Sequence, residues 1–127
     1  MIKKFEFKDT SLILEFNDYQ FKVNTDDPEL LETVDNFGKE ANEKAAKIKS
    51  EKDYIPALKE TIQFCVDTID LILGEGASEK IFEGRKVGLF DALNVINYIN
   101  TEIKNNMNEN FNAYSPNRAQ RINNKNK

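Results

Sequence analysis

The sequence predicts a mainly helical α+β domain, and three observations carry that expectation. Apolar residues fall at every second position over the first two dozen residues, then three and four apart over three longer stretches, and the chain ends in a basic, apolar-poor segment. The expected order is an N-terminal β-hairpin or meander over residues 3–24, helices over about 27–51, 54–73 and 87–108, and a disordered basic tail over 110–127. Residues 1–109 then form one domain, and 127 residues supply material for a single core.

The strand period is clearest in Leu12, Leu14 and Phe16, followed by Tyr19, Phe21 and Val23. Between the two runs lies Asn17-Asp18, a pair that tolerates the positive φ of a tight hairpin turn. Phe5 and Phe7 keep the same period, so a third, preceding strand is expected, with Asp9-Thr10 as its turn. So small a sheet does not stand alone and must lie against helices.

Asp26-Asp27-Pro28 announces the first helix, with an Asp at the N-cap and Pro at the first helical position. Glu29 and Glu32 sit near the positive end of its dipole, and Lys44, Lys47, Lys49 and Lys52 crowd the other end. Its stripe, Leu30, Val34, Phe37, Ala41, Ala45 and Ile48, is narrow and thins to alanine, as in a helix only half covered. The second helix begins near Asp53–Pro56 and carries the strongest stripe: Ile55, Leu58, Ile62, Cys65, Val66, Ile69, Ile72 and Leu73. Gly74 ends it, in an expected left-handed turn. Ser78–Phe82 reads as one short helical turn closed by Gly84, before a third helix with Phe90, Leu93, Ile96, Ile99 or Asn100, Ile103 and Met107 facing inward. From Asn110 the apolar pattern stops, and too little remains to offset the entropy of ordering.

Composition narrows the chemistry. With no histidine and one cysteine, Cys65, the commonest general base is missing and a closed zinc site within one chain is excluded. No disulfide can form within the chain, which agrees with a reducing compartment. No run of about 18 apolar residues exists, and Met1–Phe7 alternates with charges where a signal peptide needs an apolar stretch. A cytoplasmic address without membrane contact is expected. Residues 110–127 hold Arg118, Arg121, Lys125 and Lys127 and no acid, so a net charge of −4 leaves −8 on the body. That acidic body opposes nucleic acid, and the four tail charges alone give only a weak, salt-dependent attraction.

No constellation in the chain commands a reaction. Gly74-Glu75-Gly76 lacks the third glycine of a dinucleotide fingerprint, since position 79 is Glu79, and it follows a helix where that motif needs a strand. Gly84-Arg85-Lys86-Val87-Gly88 lacks the spacing of a phosphate loop. Cys65 lies between Ile62 and Ile69 on the inner stripe, where a thiol behaves as a small hydrophobe. Glu40, Glu43, Asp67, Asp70, Glu75 and Glu79 mostly fall off the apolar stripes and read as solvated helix faces. No cofactor, metal or catalytic residue is expected.

Two segments resemble a known family. Ile69-Asp70-Leu71-Ile72-Leu73-Gly74-Glu75-Gly76-Ala77-Ser78-Glu79-Lys80-Ile81-Phe82, then Gly84-Arg85, precede an amphipathic helix and a terminal Tyr114-Ser115-Pro116-Asn117-Arg118-Ala119-Gln120-Arg121. This layout resembles the tail assembly chaperone-like proteins of long-tailed phages of Gram-positive bacteria, which are encoded just before the tape-measure protein. The resemblance implies a non-virion protein of the host cytoplasm that self-associates, coats the long helical tape-measure protein, recruits tail tube protein and then leaves. It implies partner contacts through the linker, shaped by Gly74, Gly76 and Gly84 with Phe82 anchoring it in the core, and through a mobile terminal segment with Tyr114, Pro116, Arg118 and Arg121. The rival expectation is a structural subunit of the virion tail, of terminator or connector type, forming a closed ring.

Overall fold

A computed structural model describes residues 1–114. Two strands, β1 (Leu12–Phe16) and β2 (Tyr19–Val23), form an antiparallel hairpin, followed by helices α1 (Pro28–Ser50), α2 (Ile55–Leu73), α3 (Ala77–Ile81) and α4 (Leu89–Tyr114). The expected α+β class, a hairpin followed by helices, is the one observed.

The hairpin pairs Phe16 with Tyr19, Leu14 with Phe21 and Leu12 with Val23. Asn17 and Asp18 both take positive φ, 49° and 68°, as a turn matched to the twist of the strands requires. Period-2 alternation places Leu14, Phe21 and Val23 in the core and Ile13, Glu15, Gln20 and Lys22 in solvent. The third strand expected around Phe5 and Phe7 is absent. Asp9 and Thr10, which would have to make its turn, are engaged elsewhere. The Asp9 carboxylate accepts the Ser11 N–H at 3.0 Å and pairs with Lys22 Nζ at 3.1 Å, and the Thr10 carbonyl accepts from Asn110 Nδ2 at 3.2 Å.

Asp27 caps α1 by accepting the Glu29 N–H at 3.0 Å, with Pro28 in the first turn. Helices α1 and α2 pack antiparallel: Phe37 stacks on Phe64 at 5.3 Å, and Lys44 and Lys47 reach Glu60 at 3.2 and 3.8 Å. Helices α2 and α4 instead run in the same direction. Cys65 and Ile69 share one cluster with Ala92 and Ile96, and Ile72 shares the next with Ile99 and Ile103. Phe21 completes the first cluster, and Leu14, Val23 and Leu30 complete the second, so the hairpin closes the open side of the helices.

Two features of α4 differ from the expected pattern. Phe90 is 78% exposed, because Ala92, four residues before Ile96, is the position in phase with Ile96, Ile99 and Ile103 on the buried face. The helix also runs past residue 108 to Tyr114, into the segment expected to be tail. Its inner face continues there in polar form: Asn106 Oδ1 accepts from Thr25 Oγ1 at 2.6 Å and from Asn110 Nδ2 at 3.1 Å. The remainder of the expected tail lies outside the described residues.

Candidate partner-binding surfaces

The linker between α2 and α4 is built around three glycines with positive φ. Gly74 has φ 113° and ψ 158°, Gly76 φ 82° and Gly84 φ 75°. The left-handed turn expected at Gly74 is corrected: its backbone lies in a region open essentially to glycine alone, while Gly76 takes the left-handed conformation. A Cβ at any of the three would meet no atom within 4 Å, so backbone conformation and not crowding requires glycine there.

Side chains from distant elements lock the linker. Asp70, near the end of α2, accepts the Ser78 N–H at 2.7 Å and the Ser78 hydroxyl at 3.1 Å, capping the start of α3. The solvated-face reading of Asp70 is therefore corrected: the carboxylate is half-buried and structural. At the other end, Asn17 Nδ2 donates to the carbonyls of Lys80 at 3.2 Å and Ile81 at 2.6 Å. Lys80 Nζ lies 5.4 Å from the centre of the Tyr19 ring, and the neighbouring Glu83 carboxylate holds the Tyr19 hydroxyl above its usual pKa. Phe82 is buried in the first core cluster. Gly74, Gly76, Phe82 and Gly84 thus come together in one rigid connection, and the Phe82 ring faces the core.

Away from the linker, the α1–α2 pair projects. Helix α4 begins near the level of Ile62 to Cys65, so the opening turns of α2, roughly 10–15 Å of helix, have no α4 beside them. Along α2 the apolar stripe opens progressively: Ile69 is fully buried, Val66, Ile62 and Leu58 are half-buried, and Ile55 is 50% exposed. Ile48 of α1 is half-buried, and Ala45 is exposed. The pair is held by the Lys44–Glu60–Lys47 cluster, which keeps the Glu60 carboxyl below its ordinary pKa, and by Lys44 over the Phe64 ring at 5.1 Å.

On the opposite flank of α2, Leu71 is 74% exposed between two shallow clefts of about 270 and 180 Å3 that share Thr33 and Leu71. At the far end of α4 a third cleft, of about 190 Å3, is lined by Met107, Phe111 and Tyr114 with Thr25 and Asn110. Tyr114 is exposed there, at the last described position. Pro116, Arg118 and Arg121 lie outside the described residues.

Leu71 is not marked out by the sequence, because an isolated apolar residue on a solvent face carries no periodic signal. The α2 stripe is legible in the sequence, but only the late start of α4 reveals that its first turns are partly covered, with Ile55 exposed. Among the described residues no group of three His, Cys, Asp or Glu side chains is arranged to hold a metal, and no helix is long and apolar enough to cross a membrane. No curated protein and no solved structure matches the chain. A family model matches residues 17–125, and the chain belongs to that family, DUF6673, a family of unknown function.

Proposed function

We propose that the protein is a non-enzymatic phage tail assembly chaperone of the host cytoplasm, which binds helical segments of the tape-measure protein and delivers them to tail tube protein. The observation that carries this reading is the α2 stripe running past the start of α4 through Ile62 and Leu58 to Ile55. A partner helix laid there continues the line of α4 and covers the same ridge that α4 covers further along. This is the helix-in-groove mode, in which an amphipathic helix places its apolar face in a hydrophobic channel. The likeness of the linker and terminal segments to tail assembly chaperones supplies the identity of that helix.

The test is co-expression with the adjacent long tail gene, followed by affinity capture and light scattering. The expected result is a soluble complex holding many copies of this protein per long chain, lost in an Ile55→Glu/Leu58→Glu variant that stays folded. A long chain that aggregates regardless, while this protein runs as a closed ring and appears in purified particles, identifies a structural tail subunit instead.

A further inference from the structure

Residues 2–8 alternate in sequence as a strand does and pair with no strand among the described residues. Phe5 and Phe7 lie on one side of the segment, edge to face at 4.9 Å, and Lys4 and Glu6 pair at 3.4 Å, as alternation along an extended chain requires. The two rings are 77% and 91% exposed, an unusual placement for adjacent large apolar groups. The bonds that hold Asp9 and Thr10 fix the base of the segment and oppose its folding back onto β1 of the same chain.

The complementary surface is the free edge of β1. Phe16 and Tyr19 flank a two-residue turn and form a hydrogen-bonded pair, so alternation along the ladder turns the N–H and C=O of Ile13 and Glu15 away from β2. Among the described residues no other backbone group bonds to them. Beside that edge Tyr98 of α4 stands edge-on to Phe16 at 5.7 Å and is 46% exposed, with Glu102 one helical turn further along the same flank. Ile13 is 58% exposed, and Glu15 makes no ion pair among the described residues. Charge matches as well. Residues 2–8 hold Lys3, Lys4, Lys8 and Glu6, net +2, against a net −10 over residues 9–114.

We propose that residues 2–8 of one copy add as a strand to the β1 edge of a second copy. Phe5 and Phe7 then cover the margin formed by Phe16 and Tyr98, and the lysines face Glu15 and Glu102. Main-chain hydrogen bonds supply affinity, and the alternating side chains supply register. Donor and acceptor reside on the same chain, so the contact closes as a reciprocal exchange or propagates head to tail. The proposal stands independently of the identity of any helical partner.

The test is analytical ultracentrifugation of the full chain with two variants, Phe5→Asp/Phe7→Asp in the donor and Glu15→Pro in the acceptor. The proline removes an outward-facing N–H, which an edge strand tolerates, together with the carboxylate that the lysines face, and circular dichroism establishes that both variants fold. Wild type should self-associate, and each variant alone should do so at least roughly tenfold more weakly: the donor variant loses two rings, each burying apolar area worth about that factor, and the acceptor variant loses a main-chain hydrogen bond and a facing carboxylate. Mixed together, the two variants should form a heterodimer, because one retains the edge and the other the strand. Rising salt should weaken the wild-type assembly. A monomeric wild type, a mixture that stays monomeric, or association that strengthens with salt overturns the proposal.

Discussion

Replacing Asp70 by alanine should destabilise the fold far more than its position near the end of a helix implies. The carboxylate accepts two hydrogen bonds from Ser78, at 2.7 and 3.1 Å, and Ser78 is only 4% exposed. Truncation leaves a backbone N–H and a hydroxyl without their acceptor, each costing about 1–3 kcal/mol when buried. Asp70 is itself half-buried, so water recovers part of this, and about 3 kcal/mol in total is expected for Asp70→Ala. For a domain of this size that is a fall of about 12 °C in Tm. Denaturant titration should show the midpoint moving with the slope unchanged, since the surface exposed on unfolding is the same. Asp70→Asn retains an acceptor for the N–H and offers a donor to the hydroxyl, so it should cost about 1 kcal/mol or less. The reasoning fails if the alanine variant lies within about 0.5 kcal/mol of wild type, or if asparagine costs as much as alanine.

Two glycines should respond with opposite signs: Gly74→Ala should lose about 1–3 kcal/mol, whereas Gly38→Ala, in open space on α1, should gain about 0.5–1 kcal/mol. Equal effects in thermal melts would contradict the assignment. The Cys65 thiol, pushed up to about 11 by burial, should resist thiol reagents at neutral pH except through unfolding. Because the unfolded thiol ionises near its ordinary 9.0 and the folded one only near 11, its linkage favours unfolding as pH rises through that window. Labelling as fast as a free thiol would refute this. Asn17→Ala should cost about 1–2 kcal/mol through its two bonds to α3 and its positive φ, and Asn17→Gly, which keeps the φ, should isolate the share of the amide. Denaturation midpoints of the pair decide it.

Elements whose signal is local were legible in the sequence. The hairpin announced itself through alternation around Asn17-Asp18, and α1 through Asp27-Pro28, because both depend on neighbours in the chain. Long-range dependence defeated the rest. Phe5 and Phe7 have the right period for a strand, but pairing is decided by which groups Asp9 and Thr10 engage. Phe90 outranks Ala92 on any hydrophobic scale, yet Ala92 lies on the face of Ile96, Ile99 and Ile103 and is buried with them. The last turns of α4 hide their inward face in Asn106 and Asn110, which a search for apolar stripes passes over. Of the residues that the family likeness brings forward, Gly74, Gly76 and Gly84 announce turns in sequence, and Phe82 is buried in the core as its expected anchoring of the linker requires.

A five-residue helix cannot hold itself together in water, since nucleating one turn costs more than so few bonds return. Helix α3 exists because Asp70 secures its beginning and Asn17, 63 and 64 residues from the carbonyls it caps, secures its end. Its ordering therefore waits on both the hairpin and α2, which makes it a late event in folding and an early one in opening. The amide protons of Lys80 and Phe82, bonded to the carbonyls of Gly76 and Ser78, become a built-in reporter. Their hydrogen-exchange rates read out whether the two halves of the domain are joined, in the free protein or in any complex it enters.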